Sequence, residues 1–269
     1  MPRIIDAFIF YNELNMLEFR LTELADIVDH FVIIESTKTF AGKPKPLYFS
    51  QNTDRFSQFI SKITHVIVQD MPAGNAWDRE KHQRNCITRG VNLLKPTAND
   101  IIVISDADEI PDPVMLARFK REGLKGARRP VQDFYYYNLN CKGRVGNSRC
   151  RIMDYNTYKK NSPEVHTKSQ YPAVPRGGWH FSYFGSEDFI INKIQQFSHQ
   201  EFNKREYTNK NTIKQRVIDC ADLFARAGHG GPHKFYYQAL EGNNYLPKNY
   251  KMLLDFQNQN TRCTALKTK

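Results

Sequence analysis

At 269 residues the chain is long enough for one sizeable α/β core with an extension. Its formal charge of +11, from 39 Lys and Arg against 28 Asp and Glu, invites a nucleic-acid reading. The cations are dispersed, however, gathering only briefly at Lys142–Arg151, Lys159-Lys160 and Lys204–Arg216, and no zinc-finger, helix-turn-helix or RNP pattern accompanies them. A basic surface equally attracts anionic ligands such as nucleotide sugars and glycans. No stretch approaches the ~20 apolar residues of a membrane span, and Met1-Pro2-Arg3 runs into an apolar segment with no signal-peptide pattern, so a soluble, cytoplasmic protein is expected. Cys86, Cys141, Cys150, Cys220 and Cys263 are scattered, odd in number and without CxxC spacing, which predicts neither a zinc site nor a full disulfide framework and suits a reduced setting. Cys141 and Cys150 could meet across a hairpin, though spacing alone does not decide it.

In chain order, Ile4–Phe10 is an apolar run suited to a strand buried on both faces. Asn12 is expected to cap a helix carrying Leu14, Leu17, Leu21 and Leu24 at helical spacing. Strands follow at His30–Glu35, Thr64–Val68 and Ile101–Ser105, with a helix over Arg79–Leu94 between the last two. This repeated β-then-α order predicts a mainly parallel, doubly wound sheet flanked by helices. Ligands in such sheets bind beyond the carboxyl ends of the strands, where Asn12-Glu13, Glu35-Ser36 and Asp106–Glu109 gather polar atoms at one edge. After Pro130 come aromatic-rich, β-like stretches at Val131–Leu139, Arg149–Tyr155 and Gly177–Phe184, read as antiparallel additions that make the sheet mixed. Helices over Glu187–Phe197 and Thr212–Ala227, a loop at Gly228–Pro232, a short helix near Asn249–Phe256 and a polar tail from Gln257 complete a helical C-terminal annex.

The chemistry concentrates in Asn99–Pro111, where an apolar strand delivers Asp106, Asp108 and Glu109 at its carboxyl end. Carboxylates placed in this way hold a hard divalent cation such as Mn²⁺ or Mg²⁺, whose remaining ligands are often substrate phosphates, so a diphosphate substrate is implied. The plainer alternative is an acidic turn that suits the dipole of the helix beginning at Pro113.

The arrangement resembles nucleotide-sugar glycosyltransferases of the GT-A (Rossmann-like) fold, and particular runs resemble glycosyltransferase family 17, the β-1,4-mannosyl-glycoprotein β-1,4-N-acetylglucosaminyltransferase family. These runs are Ile5–Glu13, Phe31–Phe40, Gly42–Leu47, Arg79-Glu80, Gln83-Arg84-Asn85, Ser105–Pro111 and Gly177–Ser182. The resemblance implies a GT-A-like catalytic domain over 1–200, with a nucleotide half to about 111 and an acceptor half over 112–200, and a helical extension over 201–269. It implies metal-assisted, inverting transfer from a UDP-sugar, GlcNAc foremost, to a glycan or glycoprotein hydroxyl. No Golgi-type anchor or stem precedes the first strand, which suggests a bacterial or viral type of member.

Under that resemblance Asp108 is the direct metal ligand, Asp106 contacts ribose or metal, and His180, after Gly177-Gly178-Trp179, completes the metal shell. Glu35 accepts from uracil or ribose. Arg79 and Arg84 offer guanidinium forks to the diphosphate, Arg84 the better placed, and Lys43 with Lys45 lies on a proline-held loop that could close over phosphate. Inversion needs a carboxylate base, for which Asp188 is the first choice and Glu187 the second; both equally suit a helix N-terminus. His166 and His229 are weaker metal candidates. If Phe134 to Tyr137 form a strand, Phe134 and Tyr136 share one face and Tyr135 and Tyr137 the other, so one pair alone can line a site.

Two rival functions make different demands. A nucleotidyltransferase should carry a glycine-rich, basic loop after the first strand, where this chain has Tyr11-Asn12-Glu13. A basic glycan- or nucleic-acid-binding protein leaves the combination of Asp106, Asp108, Glu35, Arg84 and His180 unexplained.

Overall fold

The structure, a computed structural model, describes residues 1–144, 148–226, 234–254 and 256. Strand β1 (Ile4–Phe10) lies inside a seven-stranded sheet, which is why it is apolar on both faces. Helix α1 (Leu14–Leu24) leads to β2 (His30–Ser36), a 3₁₀ run over Ser50–Lys62 to β3 (Ile63–Val68), and α2 (Ala76–Asn85) with α3 (Ile87–Leu93) to β4 (Ile101–Asp106). Strands β1 to β4 are mutually parallel in the order β3-β2-β1-β4, as crossover connections through intervening helices require.

After β4 come β5 (Glu109–Pro111), α4 (Pro113–Glu122), β6 (Ala127–Pro130), β7 (Asp133–Tyr136), β8 (Cys141–Gly143) and β9 (Arg151–Asp154). They are followed by α5 (Tyr155–Tyr158), α6 (Pro163–Lys168), β10 (Ala173–Val174), β11 (Gly178–Ser182), α7 (Glu187–Gln196), α8 (Lys210–Ile218) and β12 (Phe235–Tyr237). Strand β9 runs antiparallel to β4 and extends the first sheet through β6 and β10. The remaining late strands form a second sheet in the order β12-β8-β7-β11-β5, in which β11 and β7 pair in parallel. The fold is thus a mixed α/β structure, mainly parallel in its first half, with two sheets where a single mixed one was expected.

Period-2 alternation divides the core. Ile4, Phe8 and Phe10 share a cluster with Leu17, Leu21 and Leu24 of α1 and Leu116 of α4, while Ile5 and Ala7 join Ile87 and Val91 of α3 on the opposite face. Helix α3 approaches closely because Gly90 faces the sheet: a Cβ there would lie 2.3 Å from Val32 Cγ1.

Several local expectations change. Helix α1 has Glu13, not Asn12, at its N-cap, without a side-chain capping bond, and the Asn12 amide turns instead toward Asn192. The expected helix over Arg79–Leu94 breaks at Cys86, and residues 50–62 carry a 3₁₀ run that no pattern announced. Helix α8 stops at Ile218, earlier than Ala227, just before Cys220 adopts φ 49° and joins Cys141 in a disulfide. The partner of Cys141 is therefore Cys220 and not Cys150, which, like Cys86, is buried and free among the described residues. Disulfides persist in oxidising compartments, so this bond runs against the reduced setting read from the scattered cysteines. Among the described residues no helix is long and apolar enough to cross a membrane.

Candidate functional site

Register puts the polar groups at one edge. Phe10 of β1 pairs with Glu35 of β2, and Ile9 with Asp106 of β4, so the three strand ends are level. Beyond them, where the strand order reverses direction between β1 and β4, opens a cavity of 440 Å³ lined by residues of both sheets, α2 and α7.

The acidic turn is held from below by a residue that the sequence reading passed over. Arg20, on the inner face of α1, donates from one terminal nitrogen to the carbonyls of Asp106, Ala107 and Glu109 at 3.1, 3.3 and 2.8 Å, and from the other to Ser105 Oγ at 2.6 Å. Asp6, buried in β1, balances its charge. Glu109 braces the turn from the other side: its carboxylate accepts from the backbone nitrogens of Asp106 at 3.1 Å and Arg149 at 2.6 Å. Burial, reinforced by the charge of Asp106, pushes the Glu109 carboxyl up to about 7.

Asp108 faces into the cavity beside His180, whose Nε2 lies 3.6 Å from Asp108 Oδ1. Lys193 of α7 donates to Asp108 Oδ2 at 2.9 Å and lies 3.7 Å from Glu13 Oε1. Burial alone would raise the Asp108 carboxyl; the neighbouring Lys193 and His180 hold it below the usual carboxylate range. For Lys193 burial works downward, but Asp108 and Glu13 outweigh it and hold the ammonium well above its usual range. Asp106 turns the other way, accepting from Arg84 at 2.6 Å. Arg84 is almost wholly buried and also engages Glu80 at 2.9 Å and lies 3.1 Å from Glu164, so it braces Asp106 and is not a free fork for phosphate.

Other expected site residues lie apart from this cavity. Glu35 has no exposure; it accepts from Lys45 at 3.2 Å, meets His65 Nε2 at 3.0 Å and accepts from the Phe49 backbone, so the side chain that reaches the cavity from this pair is Lys45. Arg79 donates to the Phe40 carbonyl beneath Gly42, and Lys43 is exposed outside the lining. Asp188 is 72% exposed and pairs with Lys210 at 2.6 Å, and Glu187 is likewise absent from the cavity wall. The reason is the helix start itself: Ser186 caps α7, and its first-turn acids face outward while Lys193 and Gln196 face the cleft. His166 is buried against Tyr158 and Tyr171, and His229 lies outside the described residues. Phe134 and Tyr136 line the cavity while Tyr135 packs in the main core, but Tyr137 adopts φ 70° and rejoins the side of Tyr136.

The cleft contains polar groups that await partners. Tyr136 Oη, His180 Nδ1 and Gln196 Oε1 are buried without a hydrogen bond among the described residues. Lys38 and Arg149 line the cavity with no carboxylate at ion-pair distance among the described residues. Aromatic side chains Phe197, Phe202 and Phe224, with Trp77 edge-on to His199 at 4.4 Å, close the far wall. Oxygen and imidazole donors at Asp108 and His180, open to phosphate oxygens, fit a divalent cation such as Mn²⁺. A closer grouping of three donor types, Asp70, His82 and Cys86 within 4.8 Å, lies outside the cleft, where Arg89 already donates twice to Asp70 at 2.8 and 2.6 Å.

A model of glycosyltransferase family 17 matches residues 1–250. The chain belongs to glycosyltransferase family 17. Over 116 residues, 40% of this chain, it is 34% identical to β-1,4-mannosyl-glycoprotein 4-β-N-acetylglucosaminyltransferase of Homo sapiens and of Rattus norvegicus. The matched stretch spans 22% of the length of these curated relatives. The mannosyltransferase PcManGT from Pyrobaculum calidifontis, solved with GDP-Man and Mn²⁺, covers 98% of this family 17 chain and is itself covered to 86%, at 14% identity and TM-score 0.42. TarS 1–349 of S. aureus covers 80%, and is covered to 72%, at 12% identity and TM-score 0.40.

Proposed function

We propose that this glycosyltransferase moves a sugar, GlcNAc foremost, from a UDP-sugar to a glycan or glycoprotein hydroxyl, with a divalent cation at the cleft and inversion at the anomeric carbon. The observation that carries the reading is the placement of Asp108 beside His180 at the switch point of the sheet, in a cavity whose cations Lys38 and Arg149 meet no carboxylate among the described residues. A nucleoside diphosphate answers this mixture: phosphate oxygens would satisfy both the metal and these cations. Asp108 and His180 would hold the ion, with Asp106 as outer support steadied by Arg84. The ion would supply Lewis-acid neutralisation of the departing diphosphate.

The chain's own residues do the rest. Arg20 fixes the backbone of the acidic turn, Lys45 sits at the cleft wall on Glu35, and the cluster of Phe197, Phe202 and Phe224 gives the cleft an apolar wall against which an acceptor sugar could pack. Inversion requires a carboxylate to take the acceptor proton, and Glu13 and Glu80 are the lining carboxylates left for that task.

Calorimetric titration of UDP and a panel of UDP-sugars, with and without Mn²⁺, tests the reading beside Asp108→Asn. Metal-dependent UDP binding that disappears in the variant supports it. Absence of binding by every UDP species overturns it.

A further inference from the structure

Lys193 lies between two carboxylates of the cleft. Its ammonium lies 2.9 Å from Asp108 Oδ2, 3.7 Å from Glu13 Oε1 and 5.5 Å from the centroid of the Tyr183 ring. The three side chains are nearly dry, with exposures of 19% for Lys193, 11% for Asp108 and 12% for Glu13. One positive charge therefore faces two negative ones where solvent gives little screening. The helix that carries it is fixed to the exit of β1, because the neighbouring Asn192 accepts from Tyr11 Oη at 2.8 Å.

A divalent ion seated on Asp108 Oδ1, beside His180, would bring two positive charges close to the ammonium held on Oδ2 and weaken its hold. Lys193 can move in response, since its charge rides on a flexible four-carbon stem. Arg84, another buried cation of the cavity, lacks that freedom because Asp106, Glu80 and Glu164 surround it. A direction of movement is available, because the two negative charges of a nucleoside diphosphate sugar would enter the cleft beside Asp108 and Glu13. The phosphate oxygens are acceptors that would arrive with the metal.

We propose that Lys193 is a diphosphate-binding residue of this site, parked on Asp108 and Glu13 in the free protein and handed to the donor's phosphate oxygens when a divalent cation takes Asp108. The proposal rests on the reading of the cleft as a UDP-sugar site. It makes Lys193 a competitor of the metal before nucleotide arrives and a partner of the metal afterwards, two effects of opposite sign from one side chain.

The test measures Mn²⁺ binding alone by electron paramagnetic resonance of the free ion, and UDP and uridine binding at saturating Mn²⁺ by calorimetry, in wild type, Lys193→Met and Lys193→Arg. The proposal expects Lys193→Met to bind Mn²⁺ roughly tenfold more tightly than wild type, yet to bind UDP roughly tenfold more weakly, with uridine unchanged. Lys193→Arg, which keeps the charge, should recover part of the UDP affinity and so separate lost charge from lost folding. Unchanged Mn²⁺ affinity, or unchanged UDP affinity, in Lys193→Met overturns the proposal. A wild-type protein that binds no UDP at any Mn²⁺ concentration overturns the nucleotide reading beneath it.

Discussion

Asp6 and Arg20 face each other with no solvent exposure, joined by two bonds of 2.6 and 2.8 Å, and the same guanidinium reaches on to the carbonyls of the acidic turn. A charge pair under the sheet edge thus sets the shape of the loop that presents Asp108. Removing one partner leaves the other charged and buried, so Arg20→Met should cost roughly 3–5 kcal/mol of stability, read from the urea midpoint. Replacing both, Arg20→Met with Asp6→Leu, should recover much of that loss. The double variant should nevertheless lose Mn²⁺-dependent UDP affinity, because three carbonyls have lost their donor. Wild-type UDP affinity in a stable double variant would show that the pair supports folding alone.

Asp188 gives a sharper division between outer surface and cleft. It is exposed and tied to Lys210, outside the cavity wall. Asp188→Asn should change stability by no more than about 0.5 kcal/mol and leave turnover of the donor within roughly twofold. A loss of turnover by orders of magnitude, with UDP affinity intact, would restore Asp188 as the base.

These contrasts show what the sequence discloses and what it withholds. The parallel half was legible because Ile4–Phe10, His30–Ser36 and Ile101–Asp106 are short apolar runs separated by helical spacing, and because the polar residues stand at their carboxyl ends. Asp108 and His180 could be singled out as candidates because motif and glycine context surround them, and the fold brings them to 3.6 Å. Arg20 was not, since an arginine in an amphipathic helix looks like any surface cation; its only signal is the acidic Asp6 in an otherwise apolar strand, a buried charge that demands a partner. Lys193 was hidden for a related reason. The first turn of α7 carries two acids that draw attention, while the side facing the cleft is decided by the angle at which the helix packs.

The disulfide offers a test of how the annex is held. Cys141 and Cys220 are 79 residues apart in sequence, and Phe224 and Arg226, which line the cleft, follow shortly after Cys220. Constraint of a loop that long is worth about 4 kcal/mol in the chain-entropy description. Cys220→Ser should lower the guanidinium midpoint by a corresponding amount, and added dithiothreitol should lower wild type to the level of the variant without affecting the variant. Equal midpoints for oxidised and reduced wild type would mean that packing alone holds residues 220–226 to the sheet.

His166 supplies a pH dependence whose sign follows from its surroundings. The imidazole has no exposure and lies 2.9 Å from the Tyr158 carbonyl and 2.8 Å from Tyr171 Oη. Burial holds it below the usual histidine range, only partly opposed by the hydrogen bond to Tyr158. The folded protein therefore resists taking a proton that the unfolded chain accepts near pH 6.5, and the unfolded state binds more protons in that window. Stability is fully present above about pH 6.5 and falls as the pH drops toward the lower folded value, by at most ~1.4 kcal/mol per pH unit. His30, also lowered by burial, adds a slope of the same sign, so the informative quantity is the difference between wild type and His166→Gln. Urea midpoints at pH 7.5, 6.5 and 5.5 should fall less steeply in the variant; parallel slopes would place the titration elsewhere.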